Sequence, residues 1–167
     1  RASVSVFDVV VLGAGAAGLF CAGVAGQRGL RVLLIDHSPR VAEKIRISGG
    51  GRCNFTNVQA DRPECYISAQ PGFARHALRA YRPAEFIGLV RRHGIGYHEK
   101  HRGQLFCDDS SERIIGLLTH EAEAGGVAWR SPCAIGPVAA LPPDQRDGAR
   151  FEIAAEGGAV RARSLVV

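Results

Sequence analysis

The stretch "FDVVVLGAGAAGLF", Phe7 to Phe20, decides how the chain is read. "FDVVVLG" is a short β-branched apolar run, the kind expected of a strand buried in a parallel sheet. "AAGLFCAGVAGQRG" then has helical length and stops at Gly29, a C-cap signal. "RVLLID" is a second buried strand, and it ends on Asp36, 23 residues after Gly13. Strand, glycine turn, helix and strand make a βαβ unit, with Gly13-Ala14-Gly15-Ala16-Ala17-Gly18 at its first turn. In a dinucleotide fold Gly13 permits the tight turn, Gly15 lets the backbone approach a pyrophosphate, and Gly18 lets the helix pack on the sheet. The helix start at Ala16 and Ala17 offers free N–H groups and roughly half a positive charge to the diphosphate. Asp36, followed by His37, is the expected acceptor for ribose hydroxyls. The alternative is a βαβ turn whose glycines serve packing alone; the strand, helix and distal acid weigh against it.

An acid at Asp36 disfavours a 2′-phosphate, although Arg40 nearby leaves NADP open, so FAD and NAD are the main candidates. The rest of the chain separates them. A plain NAD domain continues through another crossover to a third strand. Here Arg40 to Pro63 reads as irregular and glycine-rich, followed by helices near Phe73 to Tyr81 and from Pro83 to Gly94. Asp109-Ser-Ser-Glu112 reads as a capping box for a helix to about Ala124, and "VAW" as a short strand. From Cys133 the period becomes two. "CAIGPVAAL", "RFEIAA" and "AVRARS" are expected as three antiparallel strands, the last two joined at Gly157-Gly158, with "SLVV" re-entering the parallel sheet. That arrangement resembles the FAD-binding domain of the glutathione-reductase-like flavoproteins, and the fold it implies is α/β, Rossmann-like, a parallel sheet with a three-stranded antiparallel meander.

Two blocks narrow this further. "KIRISGGGRCNFTN", Lys44 to Asn57, and "HRGQLFCDDSSERII" resemble a bacterial family of NAD(P)/FAD-dependent oxidoreductases described as aminoacetone-oxidase-like or bile-acid-reductase-like. The resemblance covers nearly the whole chain. It departs where the family commonly has Glu for Asp36, and Gly-Arg with Phe-Pro for Gly103-Gln104 and Phe106-Cys107. It implies that residues 1–167 are the FAD-binding domain, a fragment of a longer chain whose inserted substrate domain lies elsewhere. It further implies that Gly49, Gly50 and Gly51 run along the FAD diphosphate-ribityl region as an anion nest. Lys44 and Arg52 are then expected to neutralise phosphate or hold the loop, with Cys53 beside them. Asn54, Thr56 and Asn57 suit either loop carbonyls or flavin polar atoms. Ile135 is implied as an adenine contact through its backbone.

Composition sets limits on function. The chain is 167 residues long, 46% hydrophobic and 22% charged, which suits a soluble domain with a core. Its net charge of +5 is scattered, favouring phosphorylated small molecules over nucleic acid as partners. Five cysteines without a C-x-x-C pair read as reduced thiols in the cytoplasm. The chain has no Met, begins at Arg1 and stops after "SLVV", again suggesting a fragment. Glycines interrupt Val9 to Gly26 too often for a membrane helix, and no cleavage pattern marks a leader. His98-Glu99-Lys100-His101 is one residue short of H-E-x-x-H, so no metal is expected. Cys53 lacks a thiol partner in sequence, and packing is its more ordinary role than redox transfer. The expected function is FAD-dependent electron or hydride transfer on an unidentified small molecule, with NAD(P)H as a candidate donor. The alternatives are an NAD-dependent Rossmann oxidoreductase and a flavoprotein of RNA modification. No catalytic residue is assigned, and the oligomeric state stays open.

Overall fold

A computed structural model describes residues 5–145 and 147–167. In chain order it begins with β1 (Val6–Leu12), α1 (Ala16–Gln27), β2 (Val32–Ile35), α2 (Glu43–Gly51) and β3 (Asn54–Asn57). There follow α3 (Arg75–Ala80), α4 (Pro83–Arg92), β4 (Tyr97–Glu99), β5 (Gln104–Cys107), α5 (Glu112–Ala124) and β6 (Ala128–Arg130). The chain ends with β7 (Ile135–Ala140), β8 (Phe151–Ala155) and β9 (Val160–Val166). Two compact units result: one takes in the chain up to Glu43 together with Leu118–Val167, the other is Lys44–Leu117.

The first unit is built on a six-stranded sheet in the order β6-β2-β1-β9-β8-β7. β1 runs parallel to β2 and β9, and β2 parallel to β6, while β8 is antiparallel to both β7 and β9. All four residues of β2 are buried, as a strand covered on both faces requires. The core gathers Val10, Leu33, Ile35, Ile153 and Val160 with Cys133 and Ala162. Fully burying each Leu, Ile or Val there stabilises by about 1.5–3 kcal/mol against exposure.

One strand corrects the expected order. "AVRARS" and "SLVV" are a single strand, β9, whose first part pairs with β8 through Val160–Ala162. The same strand pairs with β1 from Arg161 to Val166. Neither Gly nor Pro stands between Val160 and Val166, so nothing breaks the run, and it closes the meander and the parallel sheet at once.

Glycine also decides how α1 packs. A Cβ on Gly26 would lie 2.5 Å from the Gly125 carbonyl oxygen, and one on Gly125 would lie 2.9 Å from the Gln27 nitrogen. The helix therefore meets the chain beyond α5 backbone to backbone.

The second unit carries a separate antiparallel sheet in the order β3-β5-β4. The region from Arg40 to Pro63, read from sequence as irregular, contains both α2 and β3. "NFTN" is polar and poor in strand formers, and its partner β5 lies about fifty residues on, so local signals are weak. Phe55 anchors β3 through ring contacts with Phe86 at 6.0 Å and Tyr97 at 5.6 Å. α5 starts near the expected place but not through the expected pairing of Asp109 with Glu112: the Glu112 N–H donates to Ser110 Oγ at 3.2 Å instead. Asp109 Oδ1 accepts from the Ser110 N–H, and Glu112 reaches Arg46 at 2.6 Å. Among the described residues no helix is long and apolar enough to cross a membrane.

Candidate cofactor site

The glycine turn of the first unit is held from below by Asp36. This carboxylate is only 9% exposed; its Oδ2 accepts from the Ala14 N–H at 2.6 Å and its Oδ1 from the Ser38 N–H at 2.7 Å. Asp36 is itself fixed by its backbone, which donates to the Arg130 carbonyl and accepts from the Cys133 N–H at 2.8 Å. Gly13 takes φ +103°, a region closed to most side chains, and its N–H continues the sheet onto the Ile35 carbonyl. A Cβ on Gly18 would drive into the Gly13 carbonyl oxygen, so Gly18 lets α1 start this close to β1. At Gly15 a Cβ would meet nothing within 4 Å, leaving open space over the turn.

Ala16 and Ala17 form the first turn of α1, whose leading N–H groups lack intrahelical acceptors by helix geometry. Their outward N–H groups and the open face at Gly15 match what a diphosphate needs. His37 is exposed, with Nδ1 3.7 Å from Asp36 Oδ1. Ile135 opens β7, two residues beyond the Cys133 that binds the Asp36 carbonyl. Asp36 thus does more than expected: it braces the turn, and a ribose hydroxyl would use its remaining lone pairs.

In the second unit Gly49, Gly50 and Gly51 take φ values of +59°, +67° and +83°. Three successive left-handed residues explain why the run must be glycine. The turn is closed by the Cys53 N–H on the Ser48 carbonyl at 3.0 Å. One side is pressed against the sheet, where a Cβ on Gly49 would lie 2.7 Å from the Phe106 ring. At Gly50 and Gly51 a Cβ would meet nothing within 4 Å, so that side is open for an approaching group. Lys44, Arg52 and Asn54 are exposed. The Arg52 carbonyl accepts from the Cys107 N–H at 2.9 Å, so its backbone serves the sheet while its guanidinium faces solvent.

Asn57 Nδ2 donates to the Arg102 carbonyl at 2.8 Å and its Oδ1 accepts from the Gln59 N–H. Asn54, with its amide in the orientation that satisfies both ends, donates to the Thr56 and Leu105 carbonyls. Asn57 thus serves a loop carbonyl and Asn54 carbonyls of β3 and β5. Sequence reasoning assigned no role to Ser111, which is 2% exposed. Its N–H donates to the Gly51 carbonyl and its Oγ to the Arg46 carbonyl, both at 2.8 Å, clamping the glycine loop from both ends. A serine beside a cap carried the only signal.

Burial raises the Cys53 thiol above its ordinary value, partly offset by a hydrogen bond with Ser48. Burial, and then the neighbouring Cys53, push Cys107 up to about 11. Both thiols stay protonated at neutral pH, and a protonated buried thiol is a poor nucleophile. Among the described residues no group of three His, Cys, Asp or Glu is placed to hold a metal ion, and His98 pairs with Asp108 at 2.7 Å.

Comparison with known proteins sets this geometry in a family. The profile of the HI0933-like protein Rossmann domain matches residues 7–167. Over 161 residues, 96% of this chain and 38% of the relative, the chain is 45% identical to the ribosomal RNA dihydrouridine synthase of Escherichia coli (strain K12). It is 30% identical over 115 residues, 66% of this chain and 27% of the relative, to the 3-dehydro-bile acid delta(4,6)-reductase of Clostridium scindens. The chain thus spans well under half the length of these relatives. In fold it is similar to glycine oxidase from Geobacillus kaustophilus, with a TM-score of 0.61 at 14% identity over 96% of this chain and 54% of that one. The fold is the Rossmann-like fold of FAD-binding domains, and FAD is the cofactor that goes with it. The chain belongs to the HI0933-like Rossmann family, as an FAD-binding α/β domain.

Proposed function

We propose that this chain is the flavin-holding part of an oxidoreductase that reduces a carbon–carbon double bond conjugated to a carbonyl, with uridine in ribosomal RNA as substrate. The observation that carries this is the 45% identity over 161 residues to a ribosomal RNA dihydrouridine synthase. Bound FAD supplies the two-electron chemistry. Within the first unit the α1 start and Gly15 are suited to take the diphosphate while Asp36 braces the turn; within the second, Gly50 and Gly51 present an open backbone side, with Lys44 and Arg52 exposed as candidate counter-charges. The electron donor is proposed to be a reduced nicotinamide.

The chemistry is coherent across the relatives. The uracil C5=C6 bond is conjugated to the C4 carbonyl, and its reduction takes a hydride and a proton. A bile acid with a 3-oxo group and delta(4,6) unsaturation presents the same kind of bond, so the Clostridium relative supports the reaction type and a steroid-like substrate as the second reading. The test uses the full-length protein. Acid should release FAD from it, and mass spectrometry of digested ribosomal RNA should find dihydrouridine only in cells carrying the gene. Ribosomal RNA with the same dihydrouridine content in cells lacking the gene would refute the RNA substrate; turnover of a conjugated steroid ketone would then promote the second reading.

A further inference from the structure

We infer that the exposed face between β3 and α4, around Tyr66, Phe73 and Arg75, is a docking surface for single-stranded RNA. The inference rests on the RNA reading above and adds where the strand is held. Ile67 is 104%, Phe73 75% and Tyr66 44% exposed, and all three line one shallow pocket with Arg75. Soluble domains seldom leave large apolar side chains grouped in solvent without a use.

Two local contacts shape the pocket. The Tyr66 hydroxyl donates to the Ala60 carbonyl at 2.6 Å, which fixes the ring while leaving its surroundings open. The Arg75 guanidinium lies over Gly72, where an added Cβ would be 3.4 Å from a guanidinium nitrogen. Arg75 lines the pocket, and Arg62 and Arg79, in the same span of chain, are exposed with it. Among the described residues none of the three is paired with a carboxylate, and Glu64 is the one acid in the span from Arg62 to Arg79.

This combination selects the partner. An apolar peptide or a second copy would match the aromatics but leave the arginines without counter-charge. A single strand uses both kinds of group: its bases stack on aromatic faces and its phosphates meet guanidinium groups. Duplex RNA hides its base faces, so an unpaired segment is the occupant.

The experiment titrates FAD-loaded full-length protein into a fluorescent single-stranded, uridine-containing RNA oligonucleotide over a range of salt. Phe73→Ala should weaken binding roughly 5- to 150-fold, the loss expected for one stacked base, and Phe73→Trp should restore it. Replacing Arg62, Arg75 and Arg79 together by Ala should flatten the slope of log affinity against log salt by about 2, at about 0.7 per phosphate contact. FAD content should not change. Wild-type protein that forms dihydrouridine, with affinity and slope unchanged in the variants, would overturn the surface and leave the substrate intact. Loss of binding in Phe73→Ala that comes with a lower melting temperature and no rescue by Trp would also overturn it, showing a patch packed against the protein itself. Wild-type protein that neither binds the oligonucleotide nor forms dihydrouridine would overturn both readings.

Discussion

Asp36 is the residue whose replacement should say most about the glycine turn. In the folded chain its two oxygens each accept a backbone N–H, from Ala14 at 2.6 Å and Ser38 at 2.7 Å. Ala14 is fully buried, so water cannot replace the lost acceptor there, whereas Ser38 is reached by solvent. Asp36→Ala therefore strands one buried donor, and losing a hydrogen bond to a charged group costs about 1.5–3 kcal/mol. Adding a smaller loss at Ser38 gives about 2–4 kcal/mol, which for a domain of this size lowers Tm by roughly 5–15 °C. Asp36→Asn keeps one acceptor and should cost about half as much. Thermal unfolding of flavin-free protein is the deciding assay, because a residue serving only the ribose would affect just the FAD-bound form. If flavin-free Asp36→Ala melts within about 2 °C of the parent, the bracing role is wrong.

Gly18→Ala pushes a methyl group into the Gly13 carbonyl and should destabilise by about 1–3 kcal/mol while lowering FAD retention, read by Tm and flavin absorbance. Gly49→Ala combines a left-handed φ of +59° with a contact 2.7 Å from the Phe106 ring; FAD retention should fall although the residue is remote from Asp36 in sequence. Cys107 has a folded pKa of about 11 against an ordinary 9.0, so the unfolded chain loses that proton first. The contribution of Cys107 to stability is then flat below pH 9 and falls by on the order of 2 kcal/mol as pH rises toward 11; urea unfolding should show this, and Cys107→Ala should remove much of the slope above pH 9. Cys53→Ser should leave the rate of flavin reduction unchanged, and a large loss would restore a redox role for that thiol.

The βαβ unit was legible because its signals are local: a β-branched run, glycines at fixed offsets, and an acid at the end of the next strand. The need for glycine at positions 49 to 51 was legible too, since three in a row have few other uses. What sequence hid depends on distant partners. "NFTN" becomes a strand only because Gln104 to Phe106 pair with it. The Ser111 clamp joins a helix start to a loop some sixty residues earlier, and no local pattern announces such a bond. Asp36 was read as a ribose acceptor, yet its bond to Ala14 depends on the depth of the turn, which spacing alone does not give.

The long wait built into the central sheet has a consequence for synthesis. Val6 pairs with Arg161, so β1 acquires its second neighbour only after 155 further residues have been made. At 5–20 residues per second, that takes roughly 8–30 s on the ribosome. Throughout this interval an apolar strand has one unsatisfied edge, the feature most prone to pairing with another nascent chain. Folding of this domain should therefore gain from chaperones that cover the emerging β1 segment, and slow synthesis should aggravate rather than relieve its aggregation.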